Sequence, residues 1–281
     1  MNARAEAVRY TESAPRLAYQ LRGEGSAGAP VLLIMGFGMP GSMWEPQLEG
    51  LSHAHPVACY DNRGIGDSEA LRGRISMREL AADAERVLDA LGWERAHVVG
   101  VSMGGMVAQH LALAVPRRLI SLSLIATHAG GPFGLVPRLE GLRLFAKANL
   151  LPVERRPAAL VELLYPPEFR ASVRLEVLSE RMNGGLERRA HPRTLRAQLL
   201  AILRHDTRRR LRGIQVPSLV IKPERDLLVR PRHSDLLAAR IPRARKLDLP
   251  DGGHGAVFQC ADRVNAALLA HFAAAEQGEQ E

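Results

Sequence analysis

Short β-rich runs alternate with amphipathic helical patterns from residue 7 to about 127, stop at His128, and resume at Val216. This interrupted rhythm constrains the fold more than any other feature, because alternating βα units build a mostly parallel sheet with helices on its faces. Strands are expected at 7–11, 17–22, 31–35, 57–60, 96–101 and 120–125, then at 218–222 and 246–249. Helices are expected at 76–91, where Leu80, Ala84, Val87 and Leu91 recur at three- and four-residue spacing, and at 103–115, 231–240 and 261–274. Gly92 stands where a helix should stop. Between the halves, Gly130, Gly131, Pro132 and Gly134 break the chain, and 137–212 is rich in Leu and Arg without a convincing strand. One α/β sheet interrupted by an inserted helical cap explains this better than two independent domains. The organisation read is core 1–129, cap 130–212 and core 213–281, with the polar 276–281 frayed.

Composition narrows the function classes. Two cysteines, Cys59 and Cys260, lie far apart without metal-ligand spacing, so neither a disulfide framework nor a structural zinc site is expected. The first 12 residues are charged and lack the apolar stretch of a secretory signal, and no apolar run is long enough to span a bilayer. The expectation is a soluble cytoplasmic protein. The net charge of +8 is concentrated, with 17 basic against 8 acidic residues between 138 and 212. Since 35 of the 38 basic residues are arginine, this reads as coding bias and a solvated face rather than a surface for nucleic acid or membrane.

Chemistry first becomes visible at residues 96–105, A-H-V-V-G-V-S-M-G-G. An apolar strand runs straight into Gly100-Val101-Ser102-Met103-Gly104 and then into a helix, the strand-turn-helix context of a nucleophile elbow. A serine on so sharp a turn has strained backbone angles, and chains passing close by leave no room for side chains at Gly100 and Gly104. The following helix aims its first N–H groups where an oxyanion would form.

With these residues the chain resembles the α/β-hydrolase superfamily, specifically its capped esterase, lipase and lactonase-like branch, over about 7–274. The resemblance implies an oxyanion hole built from the N–H groups of Met103 and Phe37, the latter in Gly36-Phe37-Gly38 after the third strand. Family members usually carry His-Gly there, and this chain has Met35 in the histidine's place. Tyr60 to Ser68 matches the family's D-x-R-G-x-G-x-S pattern, and Asp61 and Arg63 are read as a bracing ion pair rather than as catalytic groups.

The family's chain order, serine then acid then histidine, directs the search beyond residue 102. His254 lies in the glycine-flanked Leu249-Pro250-Asp251-Gly252-Gly253-His254-Gly255, while His191, His205, His233 and His271 are expected at the surface. The loop Lys222-Pro223-Glu224-Arg225-Asp226-Leu227-Leu228 resembles the family's acid loop and assigns Asp226, with Glu224 the runner-up and Lys222-Pro223 replacing the usual His-Gly. No carboxylate occurs at 126–129, the alternative position in some relatives.

The resulting expectation is a serine hydrolase acting on an ester, lactone or thioester of a small to medium apolar molecule, without metal or organic cofactor. Serine rather than aspartate at the elbow argues against dehalogenase and epoxide-hydrolase chemistry. Leu142, Leu144, Phe145, Leu150, Leu151, Leu163, Leu164 and Tyr165 are candidates for the acyl pocket, Phe145, Leu164 and Tyr165 foremost. The rival readings are an acyltransferase with the same triad and a non-catalytic ligand-binding member.

Overall fold

A computed structural model describes residues 7–131, 139–152, 155–187 and 190–278. Eight strands form one sheet in the order β1-β2-β4-β3-β5-β6-β7-β8. These are β1 (Arg9–Tyr10), β2 (Ala18–Arg22), β3 (Val31–Ile34), β4 (Val57–Tyr60), β5 (Ala96–Val101), β6 (Leu119–Ile125), β7 (Ser218–Pro223) and β8 (Ala244–Leu249). β2 runs antiparallel to β1 and β4, and the six strands from β4 to β8 are mutually parallel. All eight expected strands are present, β4 and β5 with the expected bounds and the others shortened or lengthened by a residue or two at their ends.

The central strands V-L-L-I, V-A-C-Y, A-H-V-V-G-V and L-I-S-L-S-L-I are buried throughout, as unbroken apolar runs are when both faces of a parallel sheet are covered. Alternate residues feed two cores. Leu32, Ile34, Val98 and Leu122 pack against α2 (Met77–Ala90), α3 (Met103–Ala114) and α9 (Arg232–Arg240). Leu33, Val99 and Ile221 pack against α1 (Glu45–Leu51) and α11 (Ala261–Gln277). Helix α2 begins with a reciprocal cap between Ser76 and Glu79 and is followed by Gly92, whose φ of 68° suits the glycine that closes a helix.

Three corrections apply. Helix α1 is not among the expected helices, and it holds both Pro46 and Gly50. Pro46 sits in the first turn, where its missing N–H costs nothing, and Gly50 lies against the Asn265 side chain, so both belong inside the helix. The polar C-terminal stretch is not frayed where it begins: α11 reaches Gln277, and Glu276 accepts hydrogen bonds from His97 Nε2 and the Ala29 N–H. His205, His233 and His271 are buried rather than at the surface, whereas His191 is exposed.

Between β6 and β7 come α4 (Leu139–Leu150), α5 (Arg156–Leu164), α6 (Pro167–Ser172), α7 (Leu175–Glu187), α8 (Pro192–Leu203), with α10 (Ala256–Gln259) later in the chain. The helical insertion leaves and rejoins the sheet side by side, since the Thr207 N–H donates to the Ala129 carbonyl at 2.8 Å and Gly130 bridges Asp206. β3 lies between β4 and β5, so the strand order turns back at β3 and β5, where a crevice opens beyond the strands' carboxyl ends. Among the described residues no helix is long and apolar enough to cross a membrane.

Candidate active site

Ser102 caps α3 directly after β5 with φ 54° and ψ −119°, a conformation that costs on the order of 1–3 kcal/mol for a residue with a side chain. The surroundings hold it there. The Ser102 N–H donates to the Ile125 carbonyl at 2.9 Å, and the Thr127 hydroxyl donates to the Ser102 carbonyl at 2.7 Å. A Cβ on Gly100 would lie 2.6 Å from the Gly104 carbonyl carbon, and one on Gly104 would lie 2.6 Å from the Ile34 carbonyl carbon. Both glycines therefore vacate space that neighbouring backbone fills, as the elbow requires.

The loop after β3 comes to the same point. A Cβ on Gly36 would lie 3.2 Å from the Ser102 Cβ, so this loop rests directly on the elbow. The N–H groups of Phe37 and Met103 have no protein acceptor among the described residues. Two side chains that sequence reading passed over fix the loop. Asn62 Nδ2 donates to the Met35 carbonyl at 3.1 Å, and the Gly38 N–H donates to Gln198 Oε1 of α8 at 3.0 Å. Asn62 was open to view inside the D-x-R-G stretch, whereas nothing in the sequence of α8 singles out Gln198.

The expected Asp61–Arg63 pair does not form. Arg63 instead makes a two-pronged contact with Asp83 of α2, at 3.0 and 2.6 Å, where the buried carboxylate needs a cationic partner. Burial raises the Asp83 carboxyl above its ordinary value despite that partner. Asp61 still braces the region, through the N–H groups of Gly41 and Asp67 at 2.7 and 3.0 Å.

Asp226 and His254 meet across two loops. His254 Nδ1–H donates to Asp226 Oδ2 at 2.8 Å, and Asp226 Oδ1 accepts from the Leu228 and Val229 N–H groups at 2.7 and 2.9 Å. The carboxylate is 1% exposed, so its orientation is set by these three donors rather than by water. Glu224, two residues earlier, points elsewhere and pairs with Lys222 at 2.7 Å. The His254 loop is clamped to the insertion: the Gly255 N–H donates to the Leu164 carbonyl at 2.9 Å, and a Cβ on Gly253 would lie 2.7 Å from Pro166 Cδ. The other imidazole nitrogen, Nε2, has no protein partner among the described residues.

Ser102 and His254 both open onto one cavity of about 400 Å³ between the sheet and the insertion. Its wall is mostly apolar and includes Phe37, Leu142, Phe145, Leu163, Leu164 and Tyr165. Leu144, Leu150 and Leu151 are not part of it, and Leu150 is 84% exposed. His128, also unanticipated, adds a neutral donor to the lining. The Gly130 N–H donates to its Nδ1 at 2.9 Å, which puts the ring proton on Nε2, and burial, assisted by His233 and His254, pushes its pKa down to about 4.

A family model described as the alpha/beta hydrolase fold matches residues 29–259. A protein of Azorhizobium caulinodans carrying the provisional name carbamate hydrolase RutD is 35% identical over 259 residues, covering 90% of this chain and 93% of that protein. The enol-lactonase of Burkholderia xenovorans LB400 superposes with a TM-score of 0.79 at 26% identity, over 94% of this chain and 100% of the enzyme. A thermophilic esterase of Thermogutta terrifontis gives 0.78 at 25% identity, over 96% and 99%.

Proposed function

The chain belongs to the α/β-hydrolase fold family and is a hydrolytic enzyme, and from that premise we propose that it is a serine hydrolase whose Ser102 attacks an ester-type carbonyl. The observation that carries this reading is the 2.8 Å His254–Asp226 hydrogen bond, with imidazole Nε2 left to a cavity onto which Ser102 also opens. In the mechanism, Asp226 holds the tautomer with the proton on Nδ1, so Nε2 accepts the Ser102 proton as Oγ bonds to the carbonyl carbon. The carbonyl electron pair moves onto oxygen, which takes hydrogen bonds from the Phe37 and Met103 N–H groups, each contributing about 3 kcal/mol to the transition state. His254 then protonates the leaving oxygen as the tetrahedral centre collapses to an acyl-enzyme. Water, deprotonated at Nε2, repeats the cycle and frees the acid. The helical insertion acts as the cap, and Phe145, Leu164 and Tyr165 supply an apolar wall for a small to medium acyl group.

A carbamate carbonyl presents the same electrophile to the same groups, and the name of the 35% identical relative favours it as a second reading. p-Nitrophenyl esters of graded length and p-nitrophenyl N-alkyl carbamates, assayed with and without an alcohol acceptor, separate ester hydrolysis, carbamate hydrolysis and acyl transfer. Ser102→Ala is expected to abolish turnover and labelling by a fluorophosphonate probe. Full activity in that variant overturns the proposal.

A further inference from the structure

We propose that Arg181 of α7 is a carboxylate-binding subsite, so that the preferred substrate carries a second, anionic carboxylate in addition to the bond that is cleaved; the inference rests on the serine-hydrolase reading above. Among the described residues, Arg181 is the single permanently charged side chain that lines the cavity, in a wall otherwise made mostly of Met, Leu, Phe and Tyr. A cation in such surroundings is costly unless carboxylates or dense hydrogen bonding compensate for it. The compensation found here is partial. One terminal N–H donates to the Met43 carbonyl at 2.6 Å, the guanidinium stacks 4.3 Å above the Phe258 ring, and the Tyr165 phenol lies beside it. Among the described residues no carboxylate pairs with Arg181, and its Nε is buried without a hydrogen-bond partner.

These contacts orient the group without neutralising it. Phe258 covers one face of the plane, and Met43 occupies one edge. Further N–H groups remain in the fork geometry that matches a planar carboxylate. A phosphate dianion fits this place less well, since a lone cation in an apolar wall compensates one negative charge. The class singled out is a mono-ester, lactone or carbamate that bears one free carboxylate.

The experiment compares p-nitrophenyl hemiesters of succinate, glutarate and adipate with neutral p-nitrophenyl esters of the same acyl lengths. Wild type is expected to prefer at least one hemiester in kcat/KM. Arg181→Met should lower the hemiester-to-neutral ratio by about 10- to 100-fold, the range for a lost charged hydrogen bond in a dry site. Arg181→Lys should recover part of it. Binding of the free dicarboxylates to Ser102→Ala protein, followed by calorimetry, reads the subsite without turnover, and should weaken in the Ser102→Ala, Arg181→Met double variant. An unchanged ratio in a folded Arg181→Met protein, or equal dicarboxylate binding with and without Arg181, overturns the subsite. Hydrolysis of neutral esters alone would leave the serine-hydrolase reading standing, and loss of all ester turnover together with intact dicarboxylate binding would do the reverse.

Discussion

Asp226 does two jobs with two oxygens. Oδ1 is saturated by the Leu228 and Val229 N–H groups, which fix the carboxylate's direction, and Oδ2 is thereby aimed at His254. Replacement by asparagine preserves shape but turns one oxygen into an N–H₂ donor. If the amide oxygen keeps the two backbone bonds, the amide nitrogen faces Nδ1 and forces the ring proton onto Nε2, which can then no longer accept from Ser102. Asp226→Asn is therefore expected to reduce kcat on the order of 10³- to 10⁴-fold with little change in KM. Glu224→Gln, which touches only the Lys222 ion pairs at the far side of the loop, should leave kcat within about twofold. Steady-state kinetics on one p-nitrophenyl ester checks both, and comparable losses in the two variants would reject the assignment of roles.

At the scale of elements, glycines mark where backbones meet. Gly104 lets α3 approach β3, and an added Cβ would collide with immovable carbonyls of Ile34 and Met35. Gly184 in α7 has open space instead. Gly104→Ala should destabilise the protein by about 1–3 kcal/mol and disturb the elbow, whereas Gly184→Ala should stabilise by about 0.5–1 kcal/mol through helix propensity. Urea denaturation midpoints report both signs, and a neutral Gly104→Ala would refute the packing account. The same contrast explains what was legible beforehand. The strands and the Ser102 elbow announce themselves because their apolar runs and glycines are demanded locally, whereas Asp226 and His254 are legible through the resemblance of their loops and chain order to the family. Arg63 misleads because nearness to Asp61 in sequence does not say which carboxylate a long side chain will reach, here the buried Asp83 of α2. Gln198 and Arg181 are silent because an amphipathic helix declares which face is buried but not which loop that face will meet. His205, His233 and His271 look like surface residues for the same reason, since a polar side chain on a helix or loop does not declare that neighbouring elements will cover it; His205 finds ring hydrogen bonds in its buried place, to His110 and the His128 carbonyl.

Across the whole molecule, the insertion is stitched to loops around the cavity: Gln198 to the Gly38 loop, Leu164 to Gly255, Arg181 to Met43, and residues 205–207 to the segment at 129–131 beyond β6. The last of these seams is built from neutral histidines. His110 Nε2–H donates to His205 Nδ1 at 3.2 Å, and His205 Nε2–H donates to the His128 carbonyl at 3.1 Å. His128 Nδ1 in turn accepts from Gly130. Each ring thus needs an unprotonated Nδ1 or a neutral neighbour, and an imidazolium has no acceptor to offer. Burial accordingly lowers His110 and His128 to about 4 and His205 to about 3, from an ordinary 6.5, and His271 on the buried face of α11 falls to about 4 as well. Because the folded values lie below the unfolded ones, these groups bind protons more readily after unfolding. Their contribution is fully present above about pH 6.5 and is lost as pH falls toward 4, at up to about 1.4 kcal/mol per pH unit for each site. Carboxylates held low by arginines, such as Asp206 and Asp251, act in the same direction only as pH falls through 3.8 and below, so the upper window belongs to the histidines. Unfolding free energy measured by urea titration should therefore fall by several kcal/mol between pH 6.5 and 4.5. A midpoint that stays flat over that interval would mean that the buried rings keep or gain their protons in the folded protein, and the seam as drawn could not exist.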